Sequence, residues 1–316
     1  MSPEDWLEQP DHHLLTPDDT RYPPLLRDTP SAPKQLYVAG NPDALSLPQL
    51  AVVGSRNATS GGLETAQQFA AYLADCGLVI TSGLALGIDG AAHGGALAAR
   101  GQTVAVLGTG PDEIYPQANA GLAEQVRSNG ALVSELPPGT QVRKHQFPQR
   151  NRIIAGLSLG TLVVEAGLNS GSLITARFAG DFGREVFAIP GSIHNPLARG
   201  CHQLIRQGAK LVEQAADIIE EIGLLARAMT PESRPETERS VPTETAIAAD
   251  PDHAELLNHM GHDPVTIDGL ARRSGLTAEE LSSMLLILEL QGRVEALPGG
   301  RFQQTIKMSH GMDQAQ

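Results

Sequence analysis

Short apolar runs alternate with Ala-rich helical segments from Leu50 to Leu225. This alternation predicts an α/β domain, an extended Rossmann-like, doubly wound, mainly parallel sheet. The runs lack polar alternation, so their strands must be covered on both faces, as in a parallel sheet. After a charged, Pro-bearing stretch the pattern changes to three helices and a hairpin, which predicts a small C-terminal winged-helix domain.

The strands are expected at Leu50–Val53, Leu78–Thr81, Thr103–Leu107, Leu132–Ser134, Thr161–Val164, Glu185–Ile189 and Lys210–Val212. Helices fill the intervals Thr59–Cys76, Gly87–Arg100, Asn119–Asn129, Arg150–Leu157, Ser172–Phe182, Cys201–Gln207 and Asp217–Leu225. Residues 1–45 read as an irregular, Pro- and Asp-rich lead-in, with one short strand around Gln35–Gly40. Residues 46–227 form the Rossmann-like domain, and 228–250 a flexible linker of Pro, Glu, Ser and Thr. Residues 251–306 hold the winged helix, with Thr266 as an N-cap, Thr277 and Glu280 as a capping box, and a hairpin turning at Pro298-Gly-Gly. Residues 307–316 are expected to be a disordered tail.

With 316 residues, the chain has room for one large domain and a small one. No apolar run approaches the ~20 residues of a spanning helix, so no membrane is expected as a partner. The start, Met1-Ser-Pro-Glu-Asp-Trp6, is acidic and lacks the basic beginning and apolar middle of a signal peptide. Cys76 and Cys201 cannot make a disulfide framework, and they fit a reducing cytoplasm. The net charge of −13 speaks against a protein that coats DNA generally, while leaving room for one focused groove.

Such a groove has an obvious wall. Arg143, Lys144, Arg150 and Arg152 surround Phe147, and no acid occurs from Leu136 to Val164. Taken alone, this is a solvated loop running into a helix. It stands among small polar turns that follow strands, where a parallel sheet binds its ligands. These turns are Gly54-Ser55-Arg56, Ser82-Gly83 through Asp89, Gly108-Thr-Gly through Tyr115, and Ser170-Gly171-Ser172. Each glycine can be plain turn geometry, but together they would let backbone amides and helix starts approach an anion. Arg56 adds charge, and Ser55, Ser82 and Ser172 could donate to phosphate.

Other chemistries are poorly served. Neither a dinucleotide fingerprint nor a P-loop is present, so no cofactor is expected. Asp89 and His93 lie four apart and read as a structural pair, one near a helix start and one packed. Cys201-His202 lacks a second pair of soft ligands, so no metal is expected. Glu165, at a strand end, suits either an acid/base role or bonds to the amides of the loop that follows it.

Taken together, Gly54-Ser-Arg56, Ser82-Gly-Leu-Ala-Leu-Gly-Ile-Asp-Gly-Ala-Ala-His93, Gly108-Thr-Gly with Tyr115-Pro, Phe147-Pro-Gln-Arg-Asn-Arg-Ile-Ile-Ala-Gly156 and Ser170-Gly-Ser-Leu-Ile-Thr-Ala176 closely resemble the DNA-processing protein A (DprA/Smf) family of bacteria. The resemblance covers roughly residues 20–225 and, more loosely, the winged helix. It implies a non-enzymatic, cofactor-free protein that binds single-stranded DNA, protects incoming strands in natural transformation and loads RecA recombinase onto them. It also implies a homodimer formed through the Rossmann domain. By the same resemblance the DNA pocket is lined by Arg56, Ser55, Ser82, Gly83, Lys144, Phe147, Arg150, Arg152, Ser170, Gly171 and Ser172. Arg152 has an alternative role, pairing with Glu165 to hold the loop.

Two departures matter. The N-terminal helical domain of some family members is expected to be largely absent here. The winged helix is acidic, with 5 Lys+Arg against 9 Asp+Glu after residue 250 and no cation from Thr277 to Gln291, so it is expected to meet a protein rather than duplex DNA. Leu204, Ile205 and Leu211 are dimer candidates that can equally be core. Two other functions stay open. One is a nucleotide phosphoribohydrolase-like enzyme, which Gly160-Thr-Leu-Val-Val-Glu165 resembles without the preceding Pro-Gly-Gly of those enzymes. The other is a winged-helix regulator of duplex DNA.

Overall fold

The computed structural model describes residues 2–229, 251–260 and 264–305. The expected linker from 230 onward and the expected tail lie outside these residues. Contacts divide the chain into two compact units, 1–233 and 234–316.

In the first unit, the order is α1 (Pro3–Leu7), β1 (His12–Leu15), α2 (Pro24–Arg27), β2 (Leu36–Gly40), β3 (Gln49–Val53), α3 (Ser60–Asp75), β4 (Val79–Ser82), α4 (Ile88–Ala98), β5 (Thr103–Val106) and α5 (Ala120–Asn129). It continues with β6 (Gly130–Ser134), α6 (Gln146–Leu157), β7 (Gly160–Val163), α7 (Ser172–Asp181), β8 (Glu185–Ala188), α8 (Arg199–Arg206), β9 (Lys210–Leu211) and α9 (Ala215–Met229). One nine-stranded sheet runs β1-β2-β6-β5-β4-β3-β7-β8-β9. It is parallel from β6 to β9, while β2 pairs antiparallel with β6, and β1 with β2.

The central strands are buried along their length, as the unbroken apolar runs require: Leu50 to Val53 and Val104 to Val106 are within a few per cent of complete burial. Two of the buried clusters flank the centre of the sheet. One packs α6, through Ile153, Ile154 and Leu157, against Val53, Val106 and Val163. The other packs α3 and α4, through Phe69, Leu73, Ile88 and Ala92, against Leu50, Val52 and Ile80. Burying each large aliphatic side chain contributes about 1.5–3 kcal/mol, so α6 is firmly seated by its C-terminal half.

Two expectations need correction. Residues 1–45 are not irregular: α1, β1 and α2 form there. Trp6 is buried and its ring stacks on His12 at 3.9 Å. Tyr22 is buried and donates its hydroxyl to the Pro33 carbonyl at 2.7 Å. Trp6, Leu15, Tyr22 and Leu26 of this stretch are buried in the core, while Pro3 and Pro24 open the helices α1 and α2.

The second correction is that α6 begins at Gln146, four residues earlier than Arg150, so Phe147 is helical. Pro148 falls in the first turn, where an amide has no partner within the helix and its loss costs nothing. Gln146 stabilises the start, its Oε1 accepting from the Arg143 amide at 2.8 Å.

The second unit contains α10 (Pro251–Met260), β10 (Val265–Thr266), α11 (Ile267–Ser274), α12 (Ala278–Leu290), β11 (Val294–Leu297) and β12 (Arg301–Gln304). The strands form a sheet ordered β10-β12-β11, giving the expected winged helix. Thr266 caps α11, and Thr277 with Glu280 closes a full capping box on α12. Leu281, Leu285 and Leu288 are buried. On the outside of α12, Leu286 and Ile287 are exposed beside Glu279 and Glu280.

Candidate nucleic-acid interface

The strands reverse their direction of travel between β3 and β7, which lie side by side although β4, β5 and β6 intervene in sequence. An open α/β sheet has its ligand crevice at this point. Here the protein fills the crevice itself. Glu165 is buried, and its Oε2 accepts from the Thr59 amide at 2.9 Å. Its Oε1 accepts from the Thr59 hydroxyl at 2.8 Å and from Asn195 Nδ2 at 3.3 Å. The carboxylate thus sits at the start of α3, where an external anion would otherwise be favoured. Its partners come from the loops after β3 and β8, not from the loop that follows it.

A second carboxylate occupies the turn after β4. Asp89 Oδ2 accepts from the Gly83 amide at 3.2 Å and the Ala85 amide at 3.3 Å. Those amides are therefore already engaged. Burial raises the Asp89 pKa, opposed by the Arg150 charge and by the two amides. Arg150 is buried against this turn and donates Nη1–H to the Val106 carbonyl at 2.5 Å. Burial lowers its pKa to about 10, opposed by Asp89, so it remains a cation at neutral pH. Four residues along α4, His93 is fully buried beside Thr103. The Thr103 hydroxyl donates to the Ile80 carbonyl at 2.6 Å, so it accepts the Nδ1–H of His93 at 2.7 Å.

The exposed chemistry lies one layer above, around Phe147. The Arg56 guanidinium lies over the Phe147 ring, 5.6 Å from its centroid. Tyr115 stands on another side, its ring 5.6 Å from that of Phe147 and tilted by 42°. Gly108 forms the floor: a Cβ there would lie 2.7 Å from Phe147 Cδ1, so only a glycine admits the ring. Arg56 and Lys144 are exposed, and neither takes part in an ion pair among the described residues.

The turn before α7 adds hydroxyls. Ser170 and Ser172 share a hydrogen bond of 2.7 Å, and Asn151 Nδ2 donates to the Gly171 carbonyl at 3.2 Å, tying this turn to α6. Among the described residues, no carboxylate bonds the amides at this helix start, in contrast to α3, where Glu165 takes the Thr59 amide.

The remaining residues expected in the groove are placed otherwise. Ser82 is fully buried and donates to the Val52 carbonyl at 2.6 Å. The Ser55 hydroxyl is buried and accepts from the Asn57 amide at 3.1 Å. Arg152 pairs with Glu135, not Glu165, at 2.5 Å. Gly83 is covered by Arg150. The site therefore brings Arg56, Phe147 and the neighbouring Lys144 to the surface, and makes Arg150, Ser82 and Gly83 its foundation. Leu204 and Ile205 pack partly on the core, whereas Leu211 is 45% exposed. Glu135, Asn151 and Asn195 join the site without a signal in the sequence. Tyr115, a rare aromatic in a polar loop, carried one.

Known proteins match this chain over most of its length. The model of the family described as DNA recombination-mediator protein A matches residues 13–223. The chain belongs to that family. A second model, the DprA winged helix domain, matches residues 240–300. Protein Smf of Escherichia coli (strain K12) is 46% identical over 296 residues, which is 93% of this chain and 78% of that protein. DNA processing protein DprA of Streptococcus pneumoniae is 48% identical over 203 residues, covering 64% of this chain and 72% of the relative. Its X-ray structure superposes with a TM-score of 0.66 over 69% of this chain and 76% of that one, at 45% identity. DNA processing protein A from Helicobacter pylori, solved for its single-stranded DNA binding mode, gives a TM-score of 0.61 over 67% of this chain and 96% of that one, at 28% identity.

Proposed function

We propose that this chain binds single-stranded DNA along the rim formed by Arg56, Tyr115, Lys144, Phe147 and the Ser170–Ser172 turn. In this reading it holds the strand without altering it, protects incoming DNA in natural transformation and passes it to RecA. It acts in the cytoplasm as a homodimer, for which the face bearing Leu204, Ile205 and Leu211 is the candidate surface.

The observation that carries the reading is Arg56 poised over Phe147 at 5.6 Å on an unpaired basic rim of an acidic protein. Cations neutralise phosphate, while a ring stacks any base and so tolerates sequence; such stacking is worth about 1–3 kcal/mol per base. The relative from Helicobacter pylori, solved for its single-stranded DNA binding mode, supports the assignment. A hydrolytic role for Glu165 finds no support in its bonding, because both carboxylate oxygens already hold Thr59, one of them Asn195 as well.

Fluorescence anisotropy with oligo-dT across a salt series tests the proposal. Arg56→Ala and Lys144→Ala should each weaken binding and reduce the slope of log K against log salt by about 0.7, the value for one single-strand phosphate. Unchanged affinity and slope in both variants would refute the assigned rim.

A further inference from the structure

Tyr115 is the one exposed residue among the chain's Trp, four Tyr and six Phe, all of which are described. At 46% exposure, it stands in the loop after β5 rather than in any core. That loop is held firmly. The Thr109 hydroxyl donates to the Glu113 carbonyl at 2.5 Å, and the Gly110 amide to the Thr140 carbonyl at 2.9 Å. The Asp112 carboxylate accepts from the Gly139 amide at 2.8 and 3.0 Å. A side chain on such a loop is presented, not free to collapse onto the surface.

Phe147 is hemmed in by comparison. The backbone of Gly108 lies against its ring, Arg56 lies above it, and Tyr115 flanks it. The most exposed aromatic ring at this rim is therefore that of Tyr115, on a flank of the Phe147 ring that Arg56 overlies.

Resting on the single-strand reading above, we propose that Tyr115 is a base-stacking platform of this groove. Phe147 braces Tyr115 and Arg56 from behind. The ligand it takes is an unpaired nucleobase, of any sequence, whose flanking phosphates lie toward Arg56 and Lys144. Stacking on an exposed ring adds affinity without adding charge, so it leaves the salt dependence untouched.

The test uses the full chain with Tyr115→Phe and Tyr115→Leu, the latter keeping apolar cover on the loop if a smaller residue unfolds it. Each is titrated with oligo-dT and with an abasic deoxyribose-phosphate oligomer of equal length. Tyr115→Phe should bind oligo-dT within about twofold of the wild type. Tyr115→Leu should lose about tenfold on oligo-dT with an unchanged salt slope, and nothing on the abasic oligomer. Equal binding of oligo-dT by Tyr115→Leu and wild type, an equal loss on both oligomers, or a loss in Tyr115→Phe matching that in Tyr115→Leu would each overturn the platform. If the wild type itself ignores oligo-dT, the single-strand reading fails instead, and the platform with it.

Discussion

Arg150 occupies the space that a side chain on Gly83 would need: a Cβ at Gly83 would lie 2.0 Å from Arg150 Nη1. The most central cation of the basic segment is thus part of the floor under the turn after β4. Gly83→Ala should displace the guanidinium from the Val106 carbonyl and destabilise the fold by about 1–3 kcal/mol. Urea unfolding measures this loss. A variant as stable as the wild type would contradict the packing.

The same geometry separates Arg150 from Arg56 in function. Arg150→Met should lower stability but leave the salt slope of oligo-dT binding unchanged in the folded protein. Arg56→Ala should do the reverse. Parallel salt series on both variants check the contrast.

Glu135 and Arg152 are each about one-fifth exposed and pair at 2.5 Å. Removing one partner leaves a largely buried charge uncompensated, so Glu135→Gln should cost about 1–3 kcal/mol. Adding Arg152→Met should recover part of that loss in a double-mutant cycle. Additive effects would show that the pair is not coupled.

Burial lowers His93 to about 3 from an ordinary 6.5. Between those values the unfolded chain holds a proton that the folded chain does not. Its contribution to stability is therefore present above 6.5 and lost as the pH falls toward 3, by roughly 1 kcal/mol per pH unit below about pH 6. Urea unfolding at pH 6.5 and pH 5 should show this slope in the wild type, and His93→Asn should reduce it.

The exposed side of α12 carries Leu286, Ile287 and acids but no cation. Duplex DNA added to the winged-helix unit at low salt should therefore show no micromolar binding, because phosphate neutralisation supplies most of that affinity. Micromolar binding would restore the duplex-reading alternative.

The parallel strands were legible because Leu50 to Val53 and its counterparts are apolar on both faces, a pattern that needs no knowledge of partners. β1 was hidden because His12-His13-Leu14-Leu15 has no β-branched residue and no long apolar run. At the site, Arg56 and Phe147 could be picked out by residue type. The burial of Arg150 could not, since it depends on Gly83 and Val106 from two other strand ends. Arg152 had acids available at Glu135 and Glu165, and sequence spacing alone does not choose between them. Ser82 looked like a phosphate donor because nothing local reveals that the Val52 carbonyl of the adjacent strand takes its hydroxyl hydrogen.

The central claim is that the rim above α6 holds a single strand. A crystal structure of the full chain with a short oligo-dT tests it most directly. Phosphates beside Arg56 and Lys144, with a base against Tyr115 or Phe147, are the expected result. Density for the strand elsewhere, with this rim empty, would contradict the account.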